Sequence, residues 1–212
     1  MITTAKRAGF AKQSIESAIA RGQGRSASGA ALEPITVEAI LPHNIACIVE
    51  CESDSRLRTL QEVKHAVKEA GGNATPVSYL FTKKGRIALE TKEGVGIDEV
   101  LEPALEAGAV DVDEEDGAVV VTTEPSDTKA VGEALTQALG LQIELSEIFW
   151  DVNEDTVVDV DSESTVKDLL SFVDLLEAKE GGGVVGIYLN IRRGEAIADD
   201  GPWADLMDRI GA

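Results

Sequence analysis

The chain has 212 residues, with 39 Asp and Glu against 19 Lys and Arg, giving a formal net charge of −20. That length can bury one large or two small cores, and no apolar run approaches the roughly 18 residues of a membrane-spanning helix. Two cysteines and two histidines, Cys47, Cys51, His43 and His65, offer neither a disulfide framework nor a metal-ligand spacing.

In chain order, residues 1–21 carry a helical pattern with Ile15, Ala18 and Ile19 on one side and Gly22 as a stop. Lys6, Arg7, Lys12, Arg21 and Arg25 against a single Glu16 make this stretch basic. The chain thus opens inside a helical pattern, and no secretory or transit segment precedes it. A Gly/Ser/Ala linker covers residues 23–31. Residues 34–41 alternate as a strand should, and Pro42-His43-Asn44 turns them into a second strand over 46–51. Cys47 and Cys51 share a face of that strand roughly 13 Å apart, at ~3.3 Å per residue, too far for a disulfide. They read as two buried thiols.

Thr59-Leu60-Gln61-Glu62 fits a capping box and predicts a helix over 60–70, with Leu60, Val63, Val67 and Ala70 inward and Gly71-Gly72 as the stop. Arg56 and Arg58 then fall in the loop ahead of a helix N-terminus, where free amides and the helix dipole favour an anion. A strand over 77–82 follows, with Tyr79 and Phe81 together on an inward face. Lys83, Lys84 and Arg86 form the next turn.

From there the pattern is regular. A strand over 86–90, a helix over 97–107, strands over 109–112 and 118–123 joined by an acidic turn, a helix over 126–139 capped by Ser126 and a strand over 142–152 give the split βαβ order of ferredoxin-like domains. The flanks repeat the unit in two pieces, the second being a helix over 164–179 and a strand over 184–190. The predicted fold is therefore α+β: a helical segment over 1–30, a discontinuous α/β domain over 31–90 plus 155–212, and an acidic ferredoxin-like domain inserted over 91–154. Gly181-Gly182-Gly183 lacks the strand-to-helix setting of a phosphate loop, and the tail, with a short helix over 203–210, packs.

The charge is divided unevenly. Residues 1–92 hold 13 of the Lys and Arg and 9 of the Asp and Glu, a net +4, whereas residues 93–212 carry −24. A basic working half beside an acidic half implies an anionic partner and limited non-specific adhesion. The candidate phosphate contacts are Arg56, Arg58, Lys64, His65, Lys68, Lys83, Lys84 and Arg86, with Lys6, Arg7 and Lys12 of the first segment; such contacts weaken with salt. His65 sits between two lysines without an acid–base partner, and the acidic runs lack a calcium-loop pattern. No enzyme, cofactor or metal is expected. A protein adaptor, its acidic domain meeting a basic surface, is a further reading.

The stretch IVECESDSRLRTLQEVKHAVKEAGG, followed by VSYLFTKKGRI, resembles the core signature of the YebC/PmpR family, close to VECxTDNRNRTxxxVRxxxxKxGG and then SVxYLFxxKG. The N-terminal AKRAGFAKQSIESAIARGQG and the later GIDEVLEPALEAGAVDVDEEDGAVVVTTEPSD are similar to further parts of that family. The resemblance covers essentially the whole chain. It implies a non-enzymatic three-domain α/β protein whose first domain is incomplete here, a monomer without a small-molecule substrate. Bacterial members act as DNA-binding transcriptional regulators and in translation. The mitochondrial branch activates translation of cytochrome c oxidase subunit I. The usual GYGPGG turn is here Ala39-Ile-Leu-Pro-His-Asn-Ile45, and TDNRNRT is Ser53-Asp-Ser-Arg-Leu-Arg-Thr59. These departures point to the mitochondrial branch: a matrix protein binding RNA or the ribosome, the alternative being a cytoplasmic DNA-binding regulator.

Overall fold

The computed structural model describes residues 9, 12–26, 29–92, 94–115, 117–178 and 183–211. The chain separates into two units, Met1–Leu80 with Glu154–Ala212, and Phe81–Asn153.

The discontinuous unit is built on a central hairpin. β1 (Glu33–Leu41) and β2 (Ile45–Ser53) pair antiparallel, Leu41 facing Ile45. Between them His43 and Asn44 both sit at φ 63°, the left-handed region that Asn and His tolerate better than branched residues. α1 (Lys12–Gly22) precedes the hairpin, and α2 (Arg56–Glu69) leads from β2 to the two-residue β3 (Asn73–Ala74) on the far side of β1. After the inserted unit come β8 (Val158–Val160), α5 (Glu163–Glu177), β9 (Gly183–Leu189), β10 (Ile191–Arg193) and α6 (Pro202–Met207). The sheet order is β3-β1-β2-β9, and β8 and β10 form a separate parallel pair. Alternation places Ile35, Val37 and Ala39 of β1 with Cys47, Val49 and Cys51 of β2 on one face, where they pack on Val63, Ala66 and Val67 of α2 and Phe172 and Val173 of α5. Asn190, 2% exposed, joins layers: its Oδ1 accepts from the Ala46 amide and its Nδ2 donates to the Thr156 carbonyl, both at 2.6 Å.

The inserted unit runs β4 (Phe81–Leu89), α3 (Ile97–Ala107), β5 (Asp111–Glu115), β6 (Ala118–Thr123), α4 (Thr128–Leu139) and β7 (Ile143–Val152). Its sheet order β5-β6-β4-β7, antiparallel throughout, is the ferredoxin-like arrangement. The four-stranded sheet of the first unit, β3-β1-β2-β9, is ordered differently: its two central strands are the sequential hairpin β1-β2, whereas the central pair of the inserted unit is β6 and β4. Ile87, Val121, Leu135 and Val131 centre the core. Gly85 is required because a Cβ there would strike the Oγ1 atoms of Thr123 and Thr128, which hydrogen-bond each other at 2.8 Å.

Five expectations change. The unit boundary falls at Phe81 rather than residue 91, because β4 pairs with β6 and β7. Of the strand expected over 77–82 only Phe81 and Thr82 are strand, as the start of β4; Ser78–Leu80 is a 3₁₀ turn, which leaves Tyr79 72% exposed while Phe81 is buried. Lys83, Lys84 and Arg86 lie within β4, not in a turn. The acidic stretch from Asp111 to Glu115 is itself strand β5. In α1 only Ile15 of the expected apolar side is buried; Ala18 and Ile19 are exposed.

Candidate nucleic-acid interface

The helix that carries most of the candidate contacts starts earlier than its capping box implies. α2 begins at Arg56, and Thr59 lies inside it, fully buried, with its hydroxyl donating to Ser53 Oγ at 2.8 Å. The same Ser53 Oγ accepts from the Ser55 amide at 3.1 Å, so the end of β2 organises the helix start. Arg56 and Arg58 are therefore first-turn residues rather than loop residues. Gly71, at φ +77°, and Gly72 end the helix through bonds from Gly71 N to Lys68 O and from Gly72 N to Val67 O.

The exposed side of α2 divides into two rows. Asp54, Arg58, Glu62, His65 and Glu69 form an ion-paired ladder, with Arg58 2.9 Å from Asp54 and 4.0 Å from Glu62, and His65 3.7 Å from Glu69. With one arginine against three carboxylates and His65 counted neutral, this row is net negative. Leu57, Gln61, Lys64 and Lys68, spaced four, three and four residues apart, form the neighbouring row, and all are exposed. Among the described residues Arg56, Lys64 and Lys68 make no ion pair. Three cations with free heads on one short helix can meet phosphates; those of the ladder would first have to leave carboxylates.

In the inserted unit the three candidate cations are engaged. Lys84 pairs with Asp151 at 2.6 Å, and Arg86 with Glu115 and, at 3.9 Å, Glu147. Lys83 lies 4.8 Å from the ring centroid of Trp150, its cross-strand partner. The register of β4 on β7 sets the contacts with Trp150, Asp151 and Glu147, Glu115 comes from β5, and no local sequence signal announces them. Lys12 on α1 pairs with Glu16 at 3.6 Å, while Lys6 and Arg7 lie outside the described residues.

The remaining polar groups suit other roles. Cys47 and Cys51 are free and buried, and burial pushes the Cys51 thiol up to about 11, assisted by Glu50. A groove of about 390 Å³ at the C-terminal end of α2 is lined by Leu41, His43, Glu69, Asp168 and Phe172 among others, carboxylates rather than cations at its rim. Among the described residues no group of three or more His, Cys, Asp or Glu is placed to hold a metal ion, and no helix is long and apolar enough to cross a membrane. Sequence reasoning missed the exposure of Tyr79, because a 3₁₀ turn breaks the alternation it relied on.

Comparison with known proteins agrees with this fold. The family model described as the TACO1/YebC second and third domain matches residues 32–191. A probable transcriptional regulatory protein of Aeromonas salmonicida is 40% identical over 180 residues, spanning 83% of this chain and 70% of that one. A protein of the same description from Mycolicibacterium gilvum is 36% identical over 193 residues, spanning 90% and 74%. The crystal structure of a conserved hypothetical protein from Aquifex aeolicus superposes with a TM-score of 0.65 at 32% identity, over 94% of this chain and 80% of that one. The chain belongs to the TACO1/YebC family.

Proposed function

We propose that this protein is a nucleic-acid-binding regulator of transcription that holds phosphates with α2 and performs no chemistry. The observation that carries the reading is the row of α2 with Lys64 and Lys68 exposed and without carboxylate partners among the described residues, in a chain of net charge −20. In so acidic a protein, cations left unneutralised on one helix are positioned to bind anions. The description of the bacterial relatives supports duplex DNA and a cytoplasmic setting over mitochondrial translational activation. The contacts available are to the phosphate backbone, which positions without specifying sequence. Arg56 and Gln61 extend the same surface.

RNA is the second reading, favoured by Tyr79. A ring 72% exposed can stack on an unpaired base, whereas a duplex offers no unstacked base to it. Fluorescence anisotropy on labelled duplex DNA and on single-stranded RNA of matched length separates the two. Lys64→Glu with Lys68→Glu is expected to weaken DNA binding by roughly tenfold or more with unchanged thermal unfolding. Unaltered DNA affinity in that variant contradicts the proposal. Preference for RNA, reduced by Tyr79→Ala, replaces DNA with RNA as the partner.

A further inference from the structure

β7 is an edge strand. Its inner side pairs with β4 from Phe81↔Val152 to Leu89↔Ile143, and no strand among the described residues pairs with its outer side. A row of unpaired amides and carbonyls is a template for another chain, so exposed edges are commonly kept short or protected by lysine, proline or bulges. At ten residues β7 is the longest strand of its unit, and its sequence IELSEIFWDV holds neither lysine nor proline. The one register shift lies at its first residues, opposite Ala88 and Leu89.

The side chains along this edge are apolar and acidic. Ile143, Leu145 and Ile148 are 37%, 40% and 43% exposed. The charged residues are Glu144, Glu147 and Asp151, with no cation among them; Asp151 is already paired with Lys84 of β4 at 2.6 Å and Glu147 lies 3.9 Å from Arg86, which leaves Glu144 as the carboxylate without an ion pair among the described residues. Beyond the register shift, alternation puts Leu145 and Glu147 on one face and Ser146 and Ile148 on the other, while Glu144 is the extra residue of the shift, between Ile143 and Leu145. Two copies of β7 are poorly matched: the strand has no cation to set opposite Glu144 of its copy, and full-length antiparallel pairing would bring Asp151 there instead.

We propose that β7 accepts an extended segment of a different, basic protein as a fifth strand of the sheet. Main-chain hydrogen bonds supply the affinity, and the side chains select the partner. Opposite Glu144-Leu145-Ser146-Glu147-Ile148 the matching pattern is cation, apolar, any residue, cation, apolar. The charge of β7 thus selects against its own copy and in favour of a Lys- or Arg-bearing strand.

The test uses the full chain with a fluorescein-labelled peptide, Thr-Thr-Val-Lys-Thr-Val-Lys-Thr-Thr, and its counterpart with Glu in place of Lys. The basic peptide is expected to bind, the acidic one is not, and hydrogen exchange is expected to show added protection at β7 amides in the complex. Leu145→Lys with Ile148→Lys should weaken binding at least tenfold while leaving the thermal midpoint in place; Glu144→Lys alone should weaken it in the same direction. Failure of the basic peptide to bind overturns the proposal. So do equal binding of the acidic peptide, equal affinity in the variants, absence of protection at β7, or sedimentation showing that the protein self-associates through β7.

Discussion

Glu38 accepts from the backbone amides of Val77 and Ser78 at 2.6 and 2.7 Å and so fixes the segment that presents Tyr79. Partial burial pushes its pKa up, but the two amide donors and the Ser78 hydroxyl push it further down, and the carboxyl is held below the ordinary 4.5. A group with a depressed folded-state pKa stabilises the fold above its unfolded value, and that contribution is lost as the pH falls through the folded value. Hydrogen exchange of the Val77 and Ser78 amides is therefore expected to lose protection as the pH falls through that lowered value, ahead of global unfolding. In Glu38→Gln the protection at neutral pH should already be lower and its acid dependence gone; a wild-type acid profile in that variant contradicts the assignment. The sequence shows Glu38 as an outward residue of an alternating strand, and its distance along the chain from its partners hides what it holds.

At the scale of one element, α2 carries a conflict between stability and binding. Its first turn contains no acidic residue, and Arg56 and Arg58 occupy it. Cations at a helix N-terminus oppose the dipole; Asp54 compensates Arg58 at 2.9 Å, and nothing among the described residues does so for Arg56. Arg56→Glu is expected to stabilise the protein by about 0.5 kcal/mol in urea unfolding at low salt, and to weaken DNA binding in anisotropy titrations. Lower stability with unchanged binding would show that Arg56 serves the fold instead. The inward stripe and glycine stop of α2 were legible from spacing alone. Its true start was not, because Thr59 spends its hydroxyl on Ser53 rather than on a helix amide, a choice fixed by packing against β2. Likewise the cations of β4 were legible as residues, but their neutralisation depends on a register that sets Arg86 opposite Glu147 and brings Asp151 to Lys84.

For the whole molecule, the inserted ferredoxin-like unit could be read from the chain because its strands and helices alternate with strong periodicity and glycine stops. The boundary could not: β4 follows directly on the turn of the first unit, with no linker composition at Phe81 to mark it. Charge divides the molecule into a helix face that can hold phosphates and an acidic sheet whose edge repels them. Lys64 and Lys68 carry the proposed contact with nucleic-acid phosphates. Its most direct test is the slope of log affinity against log salt for a short duplex, measured between about 50 and 200 mM in wild type and in Lys64→Ala with Lys68→Ala. Two lost phosphate contacts should lower the magnitude of the slope by about 1.8, at roughly 0.9 per phosphate on B-form DNA. An unchanged slope contradicts the claim.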